Sequence, residues 1–144
     1  MGLVDTIEAS ILALAIFACC YYVVARKRRK QWPVTEALIQ KGAIGQLDLA
    51  EAGVKPAVFM GYSFKVNGVR YAHCFVLFGN EVPVHDLNRR LPGTPLQVRY
   101  NPSDPNTSFL VNYSDARFGG FVASQNPIFL EKAPTFDLRD ALDE

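Results

Sequence analysis

The sequence predicts a mainly β protein: a single N-terminal transmembrane helix, a small antiparallel β-barrel or roll of about five strands with one short helix, and an extended C-terminal arm ending in a short helix. Three observations carry this reading. Residues 9–25 are an uncharged, largely apolar run followed at once by Arg26-Lys27-Arg28-Arg29-Lys30. Asn67-Gly68 separates two stretches whose apolar residues alternate. Residues 114–144 follow the last expected strand and still carry many aromatic and aliphatic side chains. The chain is therefore expected to divide into an anchor with a basic collar (1–31), a β domain (32–113) and a docking arm (114–144).

The seventeen residues 9–25 would rise about 25 Å as a helix, near the lower limit for crossing a hydrocarbon core. Leu3, Val4 and Ile7 extend the apolar stretch, with Asp5 and Glu8 at headgroup level. A buried core helix is the plain alternative, but five consecutive cations on its last turn argue against it. Positive charge close to a span stays on the cytoplasmic side, so residues 31–144 are expected in the cytoplasm, with the N-terminus outside. A cleaved signal peptide would carry its cations before the apolar segment. Arg26, Lys27, Arg28, Arg29 and Lys30 then meet the anionic lipid surface, and Trp32 falls at headgroup depth.

Net charge is +1, but its distribution says more. Residues 1–25 carry −2, 26–30 carry +5, 31–113 carry +1 and 114–144 carry −3. A nearly neutral domain lacks the basic face that nucleic-acid binding requires. The three cysteines do not make a disulfide framework: Cys19 and Cys20 lie in the span, Cys74 lies in a predicted strand, and a cytoplasmic setting keeps all three reduced.

Trp32-Pro33 ends the helix, because proline denies the residue before it helical geometry. Residues 34–44 read as a first strand and 45–53 as a polar connection. Asn67-Gly68 supplies the positive φ angles of a type I′ turn. The register that follows pairs Val66 with Val69, Phe64 with Tyr71, Tyr62 with His73, Met60 with Phe75 and Val58 with Leu77, so one face of the hairpin is apolar throughout. The opposite face pairs Lys65 directly with Arg70 near the tip, which like charges resist. These two are candidate anion contacts. Farther along, the same face shows Phe59, Cys74, Val76 and Phe78, so that end needs a cover.

Residues 80–91 read as a short helix capped by Asn80 and stopped by Pro92-Gly93. Val84, Leu87 and Leu91 form its apolar stripe, with Asp86 positioned to pair with Arg90. Strands are expected over 96–100 and 107–113, joined by a stiff turn over 101–106.

Residues 32 to about 111 resemble a bacterial family of small membrane-tethered domains, the domain of unknown function 3592. The resemblance rests on Trp32-Pro33 after the span and on Tyr62-Ser63-Phe64-Lys65-Val66-Asn67-Gly68-Val69-Arg70-Tyr71. It continues in Leu91-Pro92-Gly93-Thr94-Pro95, in Leu96-Gln97-Val98-Arg99-Tyr100 with Asn101-Pro102-Ser103-Asp104-Pro105-Asn106, and in Phe109-Leu110-Val111. It implies a compact β domain beside the inner membrane and carries no catalytic residue to transfer.

The arm has anchors but little sign of regular structure, and such segments usually dock. We expect Phe118, Phe121, Ile128, Phe129, Leu130, Phe136, Leu138 and Leu142 to dock on another subunit, joined by Glu8 at the membrane edge. The plain alternative is that the arm wraps its own domain. His73-Cys74, His85-Asp86 and Ser63 are the candidates for chemistry. Adjacent strand residues point to opposite faces, so His73 and Cys74 do not share a pocket. His73 is expected to be satisfied by the Tyr62 hydroxyl. Metal-ligand spacing, a phosphate loop and a nucleophile elbow are missing from the sequence, so neither catalysis nor a cofactor is expected. The expected role is that of an accessory subunit of a membrane complex, with membrane lipid and other subunits as partners and no small-molecule substrate identified. The alternative is a free-standing binding module for anionic lipid, peptide or a small ligand.

Overall fold

A 28-residue helix, α1 (Leu3–Lys30), precedes five strands: β1 (Val34–Asp48), β2 (Val54–Val66), β3 (Val69–Phe78), β4 (Pro95–Asn101) and β5 (Asp104–Leu110). Two short helices, α2 (Val84–Arg90) and α3 (Pro127–Leu130), are the other α-helices among the described residues, 2–132, of this computed structural model. The chain divides into a helical unit, Met1–Trp32, and a β unit, Pro33–Glu144. The described part of the arm, residues 114–132, falls within the β unit.

Over Thr6–Lys30, α1 is long and apolar enough to cross a membrane. Its apolar side chains, Ile11, Leu14 and Phe17 among them, are exposed. Lys27, Arg28, Arg29 and Lys30 occupy its last turn, where cations also complement the helix dipole.

The β unit is one antiparallel sheet in the order β3-β2-β1-β4-β5. The β2–β3 hairpin has the register predicted from Asn67-Gly68, from Val66 opposite Val69 to Val58 opposite Leu77. Asn67 and Gly68 take φ of 51° and 81°, as a type I′ turn requires. β1 is longer than expected because of a bulge between Ile39 and Gly42. Before the bulge Ala37 and Ile39 face the main core; after it Leu47 faces the other side. An extra residue inverts the alternation, which is why residues 45–48 read as a polar connection in the sequence and are strand in the fold. The turn that follows is a single 3-10 turn at Ala50–Ala52.

The main core lies on the inner face. Tyr62, Phe64 and Phe75 from the hairpin, Val98 from β4 and Leu110 from β5 meet Leu87 of α2 and Leu91 just after it. α2 begins later than expected. Proline at position 83 keeps Val82 out of helical geometry, the helix starts at Val84 without a side-chain cap, and Asn80 instead accepts a hydrogen bond from Lys55 Nζ. Asp86 pairs with Arg90 at 3.4 Å and with Arg89 at 3.2 Å.

β5 also departs from expectation, starting at Asp104 and ending at Leu110. The stiff turn shrinks to Pro102-Ser103, closed by Asn101 Oδ1 accepting from the Ser103 N–H at 3.0 Å. Pro105 fits within a strand because β5 lies at the sheet edge, where a donor can be missing.

A second, smaller core forms on the outer face. Leu47, Ala57, Phe59 and Val76 are buried there beneath Phe129 and Leu130 of α3. This is the cover that the outer side of the hairpin required.

Candidate functional site

β3 and β5 are the two edges of the sheet. Curling brings them toward each other, so that Ser108 Oγ of β5 lies 2.9 Å from the Tyr62 hydroxyl of β2 across the interior. The arm closes the seam between the edges. Ala123 donates its N–H to Tyr113 O at 2.7 Å, and Ser124 exchanges two backbone hydrogen bonds of 2.9 Å with Val76 of β3.

Gln125 joins the two sides. Its Oε1 accepts from the Leu110 N–H and the Tyr113 hydroxyl, each at 2.9 Å. Its Nε2 donates to the Tyr62 hydroxyl at 2.9 Å and to Cys74 O at 3.3 Å. Buried polar groups are costly unless paired, and this single amide pairs groups from β2, β3 and β5.

Of the candidates for chemistry, only His73 and Cys74 lie at this seam, beside Tyr62. Burial pushes the Tyr62 phenol well above its usual range, an effect its hydrogen bonds from Ser108 and Gln125 only partly offset. Burial likewise lifts the Cys74 thiol to about 11 and lowers His73 below the ordinary imidazole value. At neutral pH all three are uncharged. His73 stacks on Tyr62 with ring centroids 6.0 Å apart, but the phenol is not its hydrogen-bond partner. Its Nδ1 accepts from the N–H of Cys74 at 2.7 Å, because the Tyr62 hydroxyl is engaged by Ser108 and Gln125. Ser63 accepts from Gln40 Nε2 at 2.8 Å. His85 is exposed on α2.

Outside the seam, a surface groove of about 310 Å³ runs past Glu36, Pro95, Gln97, Val111, Asp115 and Arg117. Asp115 caps a 3-10 turn at Ala116–Phe118 by accepting from the Arg117 N–H at 2.9 Å. It also holds the Arg117 guanidinium through contacts of 2.9 and 2.6 Å. The hydrogen bonds from Arg117 bring the Asp115 carboxyl down to about 2. Arg117 further donates to Pro95 O, which ties the turn to β4. The pair is therefore internally neutralised.

The arm residues expected on another subunit serve this domain instead. Phe118 is 1% exposed in the main core, 5.3 Å from the Phe75 ring. Phe121 packs against the same core, and Phe129 and Leu130 cover the outer core, with Phe129 edge-on to Phe78 at 5.3 Å. The docking expectation is corrected for these four: the main core takes Phe118 and Phe121, and the outer face of the hairpin offers apolar surface to Phe129 and Leu130. Ile128 is 64% exposed. Phe136, Leu138 and Leu142, with the predicted terminal helix, lie outside the described residues.

Of the remaining predicted residues, Glu8 is exposed on α1, and Trp32 closes the helix end by donating its N–H to Arg29 O at 3.2 Å. Lys65 and Arg70 sit directly opposite each other, as read from the sequence. Among the described residues, no group of three His, Cys, Asp or Glu is placed to hold a metal ion.

Sequence reasoning missed Gln125, Ser108, Tyr113, Asp115 and Arg117. The Asp-x-Arg spacing of 115 and 117 is a cap signal that could have been read; a lone glutamine in an irregular arm gives none.

No curated protein and no solved structure matches the chain. A family match does exist, and it spans the β2–β3 hairpin, α2, β4, β5 and the first residues of the arm. Residues 50–115 match the family model described as Domain of unknown function (DUF3592), the family the sequence resembles.

Proposed function

We propose that this is a non-catalytic, single-pass membrane protein serving as an accessory subunit of a larger bacterial membrane complex. In this reading α1 is the anchor, its basic collar lies at the cytoplasmic surface, and the β unit works on the cytoplasmic side. The observation that carries the reading is the filled interior. Tyr62, Phe64, Phe75 and Phe118 pack against one another where a ligand chamber would lie. The polar groups at the seam bond to each other, and the phenol and thiol stay protonated at neutral pH. What the domain offers a partner is its outside, including the exposed Val34 and Leu38 on β1 and Val111 after β5.

A second reading, a free-standing binding module, is favoured by the surface groove beside Glu36 and Gln97. Purification of the tagged full chain in mild detergent, followed by native mass spectrometry, separates the two. The accessory subunit is expected to carry other chains in fixed ratio. A chain that runs alone overturns that reading, and one that runs alone with a small ligand or lipid bound supports the second.

A further inference from the structure

The end of the sheet at which the chain enters β1 can be traced from ring to ring. Pro33 O accepts from the Tyr100 N–H at 3.2 Å. The Tyr100 ring stacks on Phe64 with centroids 5.9 Å apart, and Phe64 stacks on Tyr71 at the same 5.9 Å. The next pair beyond Phe64 and Tyr71 is Lys65 and Arg70, then Val66 and Val69, then the Asn67-Gly68 turn. Thus the β2–β3 tip and the start of β1 share one end of the β unit. In sequence, only Gln31, Trp32 and Pro33 separate Lys30 from β1, a reach of about 10 Å at full extension.

This tip carries an arrangement that folding alone disfavours. Lys65 and Arg70 face each other directly, and like charges in that position repel. Neither forms a salt bridge with a described residue. Val69, beside Arg70 at the turn, is 53% exposed. With two cations on one face of the tip and an exposed aliphatic side chain on the other, the tip as a whole fits a surface that is anionic outside and apolar beneath, and an anionic bilayer is such a surface.

We propose that the Asn67-Gly68 hairpin tip, through Lys65, Arg70 and Val69, is a contact surface for anionic lipid headgroups. The contact rests on α1 being a membrane anchor, and on neither its orientation nor any partner subunit.

The test uses the full chain in nanodiscs, with Cys19, Cys20 and Cys74 replaced by alanine and an environment-sensitive fluorophore on Val69→Cys. A control label goes on Val54→Cys, 58% exposed at the other end of β2. Headgroup-attached quencher is expected to quench the label at 69 at least about twofold more than the label at 54 when a third of the lipid is phosphatidylglycerol, and the excess is expected to fade in pure phosphatidylcholine and at high salt. Lys65→Glu with Arg70→Glu should abolish the excess while keeping a like-charge pair in place. Lys65→Gln with Arg70→Gln gives the same readout if the reversed pair fails to fold. Equal quenching at 69 and 54, or quenching indifferent to lipid charge and to both double variants, overturns the proposal. So does a tip that binds an acidic protein but gains no quenching from lipid. A chain that does not co-elute with nanodiscs refutes the anchor first and the contact with it.

Discussion

Gln125 Nε2 donates to the Tyr62 hydroxyl at 2.9 Å, so a residue of the irregular arm completes the hydrogen bonding of a phenol buried on the central face of β2. The same amide accepts from Leu110 and Tyr113. The arm is thus the closing piece of the barrel seam, and it covers part of the edges that β3 and β5 present, at Val76 and Leu110.

Replacing Gln125 by alanine leaves the Leu110 N–H and the Tyr113 hydroxyl without that acceptor and takes a donor from Tyr62. Groups stranded in this way cost about 1–3 kcal/mol. The expected result is a fall in Tm on the order of 5–10 °C, measured by thermal unfolding of the full chain in detergent. An unchanged Tm would mean that the arm does not seal the seam.

Phe118→Ala removes a fully buried ring that meets Phe75, and changes of this type cost about 3–5 kcal/mol. Ile128→Ala, ten residues on and exposed, should change stability by no more than about 0.5 kcal/mol. Denaturant unfolding of the two variants side by side tests whether Phe118 makes the arm part of the core, as the structure has it, or whether the arm is a detachable docking segment.

The difference between these two residues also shows what was legible in the sequence. The hairpin could be read to the residue because Asn-Gly fixes the turn and period-two alternation fixes the face. The stripe of α2 could be read for the same kind of reason. The arm could not, because a segment without periodicity shows that it must be buried but not against what. The outer-face cluster of Phe59, Val76 and Phe78 said that a cover was required, and the arm said that it required a surface. Only long-range contacts join the two statements. β1 failed locally instead: its bulge moves the positions that face the main core from odd to even numbers between Ile39 and Gly42 and turns Leu47 to the outer face, which no fixed period can follow.

That bulge depends on a glycine. A Cβ at Gly42 would strike Met60 Sδ and would lie 2.7 Å from Asn88 Oδ1 and 2.8 Å from the Phe59 carbonyl oxygen. The methionine can move, but the backbone carbonyl of the neighbouring strand cannot. Gly42→Ala is expected to destabilise by about 1–3 kcal/mol, read from the shift in denaturant midpoint. Gly53→Ala meets open space but has φ of 80° and ψ of −171°, a region open in practice only to glycine, so it should cost about 1–3 kcal/mol from backbone strain alone.

The Asp115 carboxyl is held near 2 in the fold against 3.8 when free, chiefly by hydrogen bonds from Arg117. Its contribution is therefore complete above pH 3.8 and is lost as pH falls through about 2. Arg117 is 40% exposed, so screening limits the pair to about 1 kcal/mol, cap included. Asp115→Asn should lower Tm at pH 7 by a few degrees. The gap between variant and parent should then close on acidification from pH 4 to pH 2, as followed by thermal melts across that range.

Lys65→Glu puts opposite charges where the hairpin now holds like ones, at a directly facing position of an antiparallel pair. Such an exchange is worth about 0.2–1 kcal/mol, so the single substitution should raise Tm by one to a few degrees in low-salt detergent. Added salt should shrink the gain, since the pair is partly exposed and therefore screened. A residue whose replacement stabilises the fold is held there by something other than folding. Comparing Tm with lipid-dependent quenching for this variant separates the two: stability rises while the lipid contact weakens. If Tm instead falls and the reversal costs nothing in lipid contact, Lys65 serves the hairpin and not the surface beyond it.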